Sequence, residues 1–522
     1  MIKTQNKTWL SDVVGEEYKQ WRNGDIVLIG TGTGTGKSYF IRNQLTRFAE
    51  EEWSNILFIF NRKELHKQNK EQIRADNNMR IHTATYQEIE HDISITGSYD
   101  FKKYKYIVCD ECHYFTDDSG FNHNSDISLN AIMNLESKII IFMSATSSTL
   151  FTHIQNNKSE SKIWRYKSKR NFSNIASLYF YSKEESVEQY ISQRFNGNEK
   201  IIWFCRSTEK AAKLHIKYPD SYFLCSDNKK NSKYISLIKN NTITTQDNKI
   251  TFDRKFLFTT KVLDNGFDLK DEQIKLIICD EFDINTMIQC IGRKRAMTEE
   301  DTIHIVLLNH SNRSINGYRN VLLEKRNEAK VFMEDGVLGR NNFIGRFAHK
   351  SNYIIFDQPS LDNKYLSHKK ISTVKYLKAE NDLVIIEEML HENREQNKFR
   401  ESLKEKKLSD AYIMYVLKLL QVNRYGDLDK IYKEQGISEY LDSILGNQLH
   451  NSEKKELIDK LNVRSNGRQL KSCEALNIAL TELKINYRII SEIDHRRNLG
   501  EGSLNPNRKK VFWKVMKLSD SK

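Results

Sequence analysis

Residues 106–115 read YIVCDECHYF, and the tetrad Asp110-Glu111-Cys112-His113 ends that apolar run with carboxylate, thiol and imidazole groups side by side. Two chemistries fit it. Read as Cys109-x-x-Cys112-His113, it has the spacing of a covalent haem attachment site or a dithiol redox pair. Read as Asp-Glu-x-His closing a buried strand, it offers one carboxylate to hold a hydrated divalent cation and a second to polarise an attacking water. The other cysteines bear on the choice. All seven (Cys109, Cys112, Cys205, Cys225, Cys279, Cys290, Cys473) are scattered, four of them in or at the ends of apolar runs. That usage suits reduced, buried thiols in a cytosol and no disulfide framework. The first residues, MIKTQNKTWLSDVV, hold no apolar signal core, so a cytoplasmic chain is expected and haem attachment loses its route.

A second stretch decides between the readings. Residues 30–38 read GTGTGTGKS, directly after the apolar run IVLIG and before the helix-like YFIRNQLTRFAEE. Glycines let backbone N–H groups crowd a phosphate, and the N-terminus of the following helix adds positive potential. Gly32, Thr33, Gly34, Thr35 and Gly36 are therefore expected to cradle a nucleotide, Lys37 to reach its β- and γ-phosphates, and Ser38 to ligate Mg2+. Thr31 stands where the strict pattern has glycine. Given such a loop, Asp110 gains a metal to hold and Glu111 a water to activate. Both would face one crevice, since ligands gather at the carboxyl ends of parallel strands. Cys109 then becomes a core residue. The loop at 116–126 has oxygen donors without EF-hand spacing and reads as solvated.

The elements that must position these groups are legible as short apolar runs alternating with helical segments from about residue 25 to 310. The runs are 26–30, 56–60, 106–110, 138–145, 176–182, 201–205, 255–260, 275–281 and 302–309. This order predicts parallel sheets covered by helices on both faces. Residues 148–170 turn polar and read as a connection between two α/β domains. After Gly336 the pattern becomes long helical segments. The expected fold is thus α/β, with two tandem doubly wound parallel-sheet domains at 1–165 and 166–336 and a mostly helical accessory domain at 337–522. The end of that third domain reads as a helix pair followed by a β-hairpin, which suits a winged-helix arrangement.

Composition points toward a polyanion. The chain has 82 Lys+Arg against 69 Asp+Glu, a net charge of +13, and residues 461–522 alone hold 13 basic against 6 acidic groups. No stretch approaches the ~18 apolar residues of a membrane span, so no membrane partner is expected.

Taken together, the motifs resemble superfamily 2 helicases and translocases of the DExH-box branch over roughly residues 20–310. FNRKELHKQ (60–68) resembles motif Ia through Arg62 and Gln68, TYQ (85–87) resembles motif Ib, and Ser144-Ala145-Thr146 resembles motif III. WFCRS (203–207), TTKVLDNGFDL (259–269) and QCIGRKR (289–295) resemble motifs IV, V and VI. The resemblance implies that the two α/β domains are RecA-like, with ATP and Mg2+ as cofactors bound between them. Gln289, Arg293 and Arg295 would join Lys37, Asp110 and Glu111 in catalysis, and Gly266 and Asp268 would lie near the nucleotide. His113, Ser144 and Thr146 would couple hydrolysis to domain movement. Arg62, Thr85, Arg206, Thr259 and Thr260 would contact the sugar-phosphate chain, a mode that tracks a strand without reading bases.

Motif VI departs from the common QRxGRxGR form: Cys290 replaces the first Arg, Ala296 stands where the last would be, and Arg295 falls one position early. This variant is similar to that of phage-type and viral origin-binding helicases, which favours DNA over RNA as partner. Arg496, Arg497, Arg508, Lys509, Lys510 and Trp513 are candidates for a duplex-holding surface or wedge. The alternatives are an RNA helicase, and an ATP-controlled switch that recruits a protein partner through the helical domain without separating strands.

Overall fold

The computed structural model describes residues 9–518 apart from residues 33, 62, 118–123, 147, 159, 169–171, 226–233, 239–243, 247–248, 261–268, 295, 299, 335, 348–353, 360–366, 403–409, 466–467 and 500–501. The chain divides by its internal contacts into two units, residues 1–178 with 197–425 and residues 179–196 with 426–522.

In the larger unit the first sheet holds β1 (Ile26–Gly30), β2 (Ile56–Phe60), β3 (Ile81–Thr85), β4 (Tyr106–Cys109), β5 (Ile139–Met143) and β6 (Ile163–Lys167), all parallel, in the order β3-β2-β4-β5-β1-β6. Its apolar runs are continuous because both faces are buried. Alternate residues go to opposite sides: Ile26, Leu28, Ile107 and Cys109 pack with Tyr86, Leu129 and Leu150 on one face, and Val27, Ile29, Tyr106 and Val108 pack with Phe40, Ile41 and Leu45 on the other.

The polar stretch 148–170 is not a connection. It forms the helix Ser148–Asn157 and then β6, whose residues pair in parallel with β1. The sequence hid this strand because it is at the sheet edge and only Tyr166 of its five residues is buried. Polar edge strand β3 (IHTAT) and short β9 (Ser221–Leu224) escaped for similar reasons.

Beyond β7 (Ile175–Tyr181), a second parallel sheet contains β8 (Lys200–Phe204), β9, β12 (Phe256–Thr259), β13 (Ile274–Cys279) and β14 (Ile303–Leu308), in the order β14-β13-β8-β12-β9; β10 (Thr244–Gln246) and β11 (Lys249–Thr251) form a separate hairpin. These are two tandem parallel α/β sheets, as expected.

Helices Asn312–Glu334, Gly336–Phe347, Thr373–Ser402 and Ala411–Leu420 belong to the same unit as the sheets. The long helix Thr373–Ser402 straps them. Its Val374 packs in the first sheet's core and donates its backbone N–H to Asp126 Oδ1 at 3.1 Å. One turn on, Lys378 pairs with Asp283, the residue that caps the helix following β13. Among the described residues, no helix is long and apolar enough to cross a membrane.

The smaller unit is built on a helix Leu428–Ser443, a segment whose Leu445 and Leu449 bridge to Val515 and Trp513, helices Asn451–Leu461 and Cys473–Glu482, and an antiparallel hairpin Tyr487–Ile493 with Val511–Lys517. This is the element order expected of a winged helix, and residues 494–510, which join the two strands of the hairpin, correspond to its wing. Trp513, expected on a binding surface, is only 9% exposed and packs among Leu449, Leu457 and Leu480. Its ring is core, covered by Lys454 with Nζ 5.4 Å from the centroid. Trp513→Ala is expected to cost about 3–5 kcal/mol, seen as an early urea-unfolding step of the full-length protein while the larger unit keeps its own midpoint.

Candidate active site

The loop after β1 must turn sharply to aim its N–H groups inward, and two glycines do this from the left-handed region, Gly34 at φ +74° and Gly36 at +81°. Gly36 has a second reason to lack a side chain: a Cβ there would lie 2.8 Å from the Trp9 ring. The N-terminal segment latches onto this loop, with Leu10 N donating to Thr35 O at 2.8 Å. No motif signals Trp9 or Leu10. Lys37 opens the following helix, is 9% exposed, and donates from Nζ to Thr31 O and Gly32 O at 3.3 and 3.2 Å. Thr35 Oγ1 donates to Gly32 O at 2.9 Å, which stiffens the turn.

The tetrad follows β4, one strand away from β5 and two from β1, so parallel pairing brings it to the same sheet edge as the loop. Asp110 is 4% exposed and accepts from Glu111 N at 3.0 Å, while its own carbonyl accepts from Tyr86 OH at 2.9 Å. Burial, reinforced by the neighbouring Glu111 charge, pushes its carboxyl up to about 7 despite Lys37. Glu111 has φ +45°, a strained conformation for a side chain of this kind. Burial opposes its charge too, yet Lys37, His113 and Arg293 outweigh that and hold its carboxyl well below the usual range. Two adjacent carboxylates are thereby driven apart, one easily protonated and one firmly ionised.

From Glu111 a buried polar chain leads away. His113 Nδ1 lies 3.2 Å from Glu111 Oε2 and 3.0 Å from Ser144 Oγ; Ser144 Oγ accepts from Thr146 N at 3.1 Å; Thr146 Oγ1 accepts from Gln289 Nε2 at 2.8 Å. All five residues are present in the sequence motifs, and the structure brings them together across the two sheets. Arg293 ends the Gln289 helix, is 4% exposed, and acts electrostatically on Glu111. Beside it, Lys294 is fully buried in an ion pair with Asp301, which also receives Lys275 Nζ at 3.2 Å. This pair anchors the motif, and the sequence reading missed it because Asp301 lies outside the motif. A second unforeseen network lies beneath the tetrad, where buried Glu90 accepts from Tyr114 OH at 3.0 Å and Ser128 Oγ at 2.7 Å.

Cys109 and Cys112 are both fully buried, and burial pushes the Cys109 thiol up. Neither is placed for haem attachment or disulfide exchange, for which an accessible thiolate is needed. Gly32, Gly34, Thr35, Lys37 and Ser38 lie in the loop after β1 and at the start of the helix that follows it. Thr33, Arg62, Gly266, Asp268 and Arg295 lie outside the described residues, as does most of the loop 116–126.

Two of the residues expected at nucleic acid have structural partners of their own. Thr85 is 1% exposed, and its hydroxyl caps the helix Tyr86–Thr96 by accepting from Glu88 N, while Glu88 returns the bond to Thr85 N at 2.7 Å. Thr259 is also buried, and its hydroxyl donates to Thr260 O at 3.1 Å. Thr260 is half-buried and Arg206 is exposed.

The cysteine-free donor set suits Mg2+. Asp110 and Ser38 offer hard oxygen ligands, and Mg2+ is ordinarily held by one or two carboxylates with phosphates and water, not by a protein cage.

Residues 40–152 match the model of the DEAD/DEAH box helicase family. The match includes the tetrad and Ser144–Thr146, and it begins just after the phosphate loop. No curated protein matches the chain. Among solved structures, the chain is similar to a variant of S. cerevisiae Dbp5 bound to RNA and ADP BeF3, at 16% identity over 56% of this chain and 81% of that one, with a TM-score of 0.38. It is also similar to the DEAD-box helicase Mss116 bound to ssRNA and UDP-BeF, at 12% identity over 63% and 81%, with a TM-score of 0.40. A third is a DEAD box protein from Methanococcus jannaschii, at 18% identity over 59% and 87%, with a TM-score of 0.30.

Two outcomes follow from the geometry. Thr85→Ala should cost about 1 kcal/mol of stability through the lost cap and leave nucleic-acid affinity unchanged in a binding titration. Asp110 holds its proton to about pH 7 when folded but to about pH 3.9 when unfolded, so it contributes stability at low pH that is lost as pH rises through 7. In Mg2+-free buffer, Asp110→Asn should melt above the parent protein at pH 8, with the gap closing toward pH 4.

Proposed function

We propose that the protein is an ATP- and Mg2+-dependent superfamily 2 helicase or translocase acting on DNA. The observation that carries this reading is the buried chain from Glu111 through His113, Ser144 and Thr146 to Gln289, because it joins a hydrolytic carboxylate on one RecA-like sheet to a helix of the other.

In this mechanism the Lys37 ammonium exchanges its two loop carbonyls for the β- and γ-phosphates of ATP. Ionised Glu111 orients the attacking water and accepts its proton. Asp110 and Ser38 are the residues that would hold Mg2+, which supplies charge neutralisation between the phosphates. Arg293 stabilises the charge that develops on the transferred group, an effect worth roughly 10^3 or more in rate in comparable enzymes. Arg295, Gly266 and Asp268 are assigned supporting roles at the nucleotide.

When the γ-phosphate leaves, Glu111 loses a partner, and the change passes through His113 and Ser144 to the Thr146–Gln289 bond. The first sheet, β1 to β6, and the second, β8 to β14, act as the moving pair, and the smaller unit as the accessory part. Arg62, Arg206 and Thr260 track the strand. The motif VI form at 289–295 favours DNA, and seven free cysteines suit a reducing cytoplasm.

One observation favours a second reading. The strap formed by Thr373–Ser402 ties Asp126 of the first sheet to Asp283 of the second, which would limit opening and suits an ATP-controlled switch that binds without separating strands.

Lys37→Ala and Glu111→Gln should each lower nucleic-acid-stimulated ATPase by about 10^2 or more. His113→Ala and Gln289→Ala should retain hydrolysis but lose strand displacement. Assays with single-stranded DNA, duplex DNA and RNA at fixed salt choose the substrate; wild-type ATPase without any displacement selects the switch, and intact ATPase in both Lys37→Ala and Glu111→Gln removes the proposal.

A further inference from the structure

The wing of the smaller unit, residues 494–510, has a composition unlike the helix beside it. It carries Arg496, Arg497, Arg508, Lys509 and Lys510 against two acidic residues, Asp494 and Glu501. The helix Cys473–Glu482, which a winged-helix module would ordinarily lay into a groove, holds two glutamates and no lysine or arginine. Phosphate binding needs cations, so the wing is the part suited to a nucleic acid.

Its conformation is set by one carboxylate. Asp494 is 2% exposed; its Oδ1 accepts from Arg496 N and Nε at 3.0 Å each, and its Oδ2 accepts from Arg496 Nη2 at 2.7 Å and Asn505 Nδ2 at 2.9 Å. Asn505 N also donates to Arg497 O at 3.1 Å, and Lys509 adopts a left-handed φ of +64° with its N–H on Asp494 O. Arg496 is thus consumed in building the loop. Arg497, Arg508 and Lys510 stay exposed.

Between these cations the wing presents apolar groups. Leu504 is 77% exposed and Leu499 40% exposed, and Leu499 N donates to Ser503 O at 2.8 Å. Holding two leucines in water is unfavourable unless they are covered in use. No Phe, Tyr or Trp lies in 494–510, which leaves His495 and the exposed arginines as the groups able to stack on a base. Leu499 and Leu504, flanked by Arg and Lys, are the equipment for entering a stacked duplex step while phosphates are held on either side.

We propose that the wing engages the end of a DNA duplex at a fork, with Arg497, Arg508 and Lys510 on the phosphates and Leu499 and Leu504 pressed against the terminal base step. This rests on the helicase reading for its purpose, but binding can be measured without nucleotide. The full-length protein is titrated with a forked DNA, a single-stranded DNA and a forked RNA by fluorescence anisotropy over a salt series, and assayed for strand displacement and ATPase.

Arg497→Glu with Arg508→Glu should weaken fork binding by tenfold or more and reduce the slope of log affinity against log salt by about 2, with single-strand-stimulated ATPase within twofold of the parent. Leu499→Ser with Leu504→Ser, both at exposed positions, should keep ATPase and single-strand affinity and lower strand displacement or fork affinity at least fivefold. The proposal is overturned if both double variants bind the DNA fork as the parent does, or if the losses are equal on single strands, or if RNA forks are bound more tightly than DNA. A parent protein that binds forks through the wing but never hydrolyses ATP would refute the helicase reading and leave this one standing.

Discussion

Keeping two adjacent carboxylates out of water is the constraint around which the larger unit is arranged. Neither Asp110 nor Glu111 can be charged in an apolar interior without partners, because desolvation outweighs any single exposed ion pair. The sheet resolves this by delivering Lys37 from two strands away and Arg293 from the second sheet, so that Glu111 stays ionised while Asp110 takes the burden of burial. The positive φ of Glu111 is part of the same solution, since it turns the carboxylate off the line of β4 and beside His113.

That arrangement makes the site dependent on the relation between the sheets. Arg293 contributes to the charge state of Glu111 only while the helix Ile284–Gly292 lies against the first sheet, and Gln289 reaches Thr146 only in that placement. The helix Thr373–Ser402 holds both sides through Val374 and Lys378, and Lys294 with Asp301 fixes the backbone around Arg293. The charge state of Glu111 and the placement of the two sheets are therefore one electrostatic problem. The smaller unit repeats the logic on a minor scale, where buried Asp494 organises a basic loop that would otherwise repel itself.

Most of the chemistry was legible because it is local. Phosphate-loop residues are consecutive, the tetrad is consecutive, and runs such as IVLIG and ILFIF are apolar throughout because central parallel strands are buried on both faces. What escaped were elements whose burial is partial: β6 and β3 at the sheet edges read as polar, and the helices after residue 336 gave no sign of packing against the sheets. Thr85 and Thr259 illustrate a related point, since a threonine that caps a helix or folds back on its own backbone looks in sequence like one that meets a phosphate.

By itself the sequence determined the nucleotide loop, the carboxylate pair, the tandem α/β order and the basic C-terminus, all properties of neighbouring residues or of composition. Only the tertiary structure decided that Glu111 and Asp110 ionise differently, that His113, Ser144, Thr146 and Gln289 form one chain, that Trp513 is core, and that Leu499 and Leu504 stand exposed on the wing. Those outcomes depend on burial and on distances between residues far apart in the chain, and a desolvation cost or a hydrogen bond does not exist until folding brings the groups together.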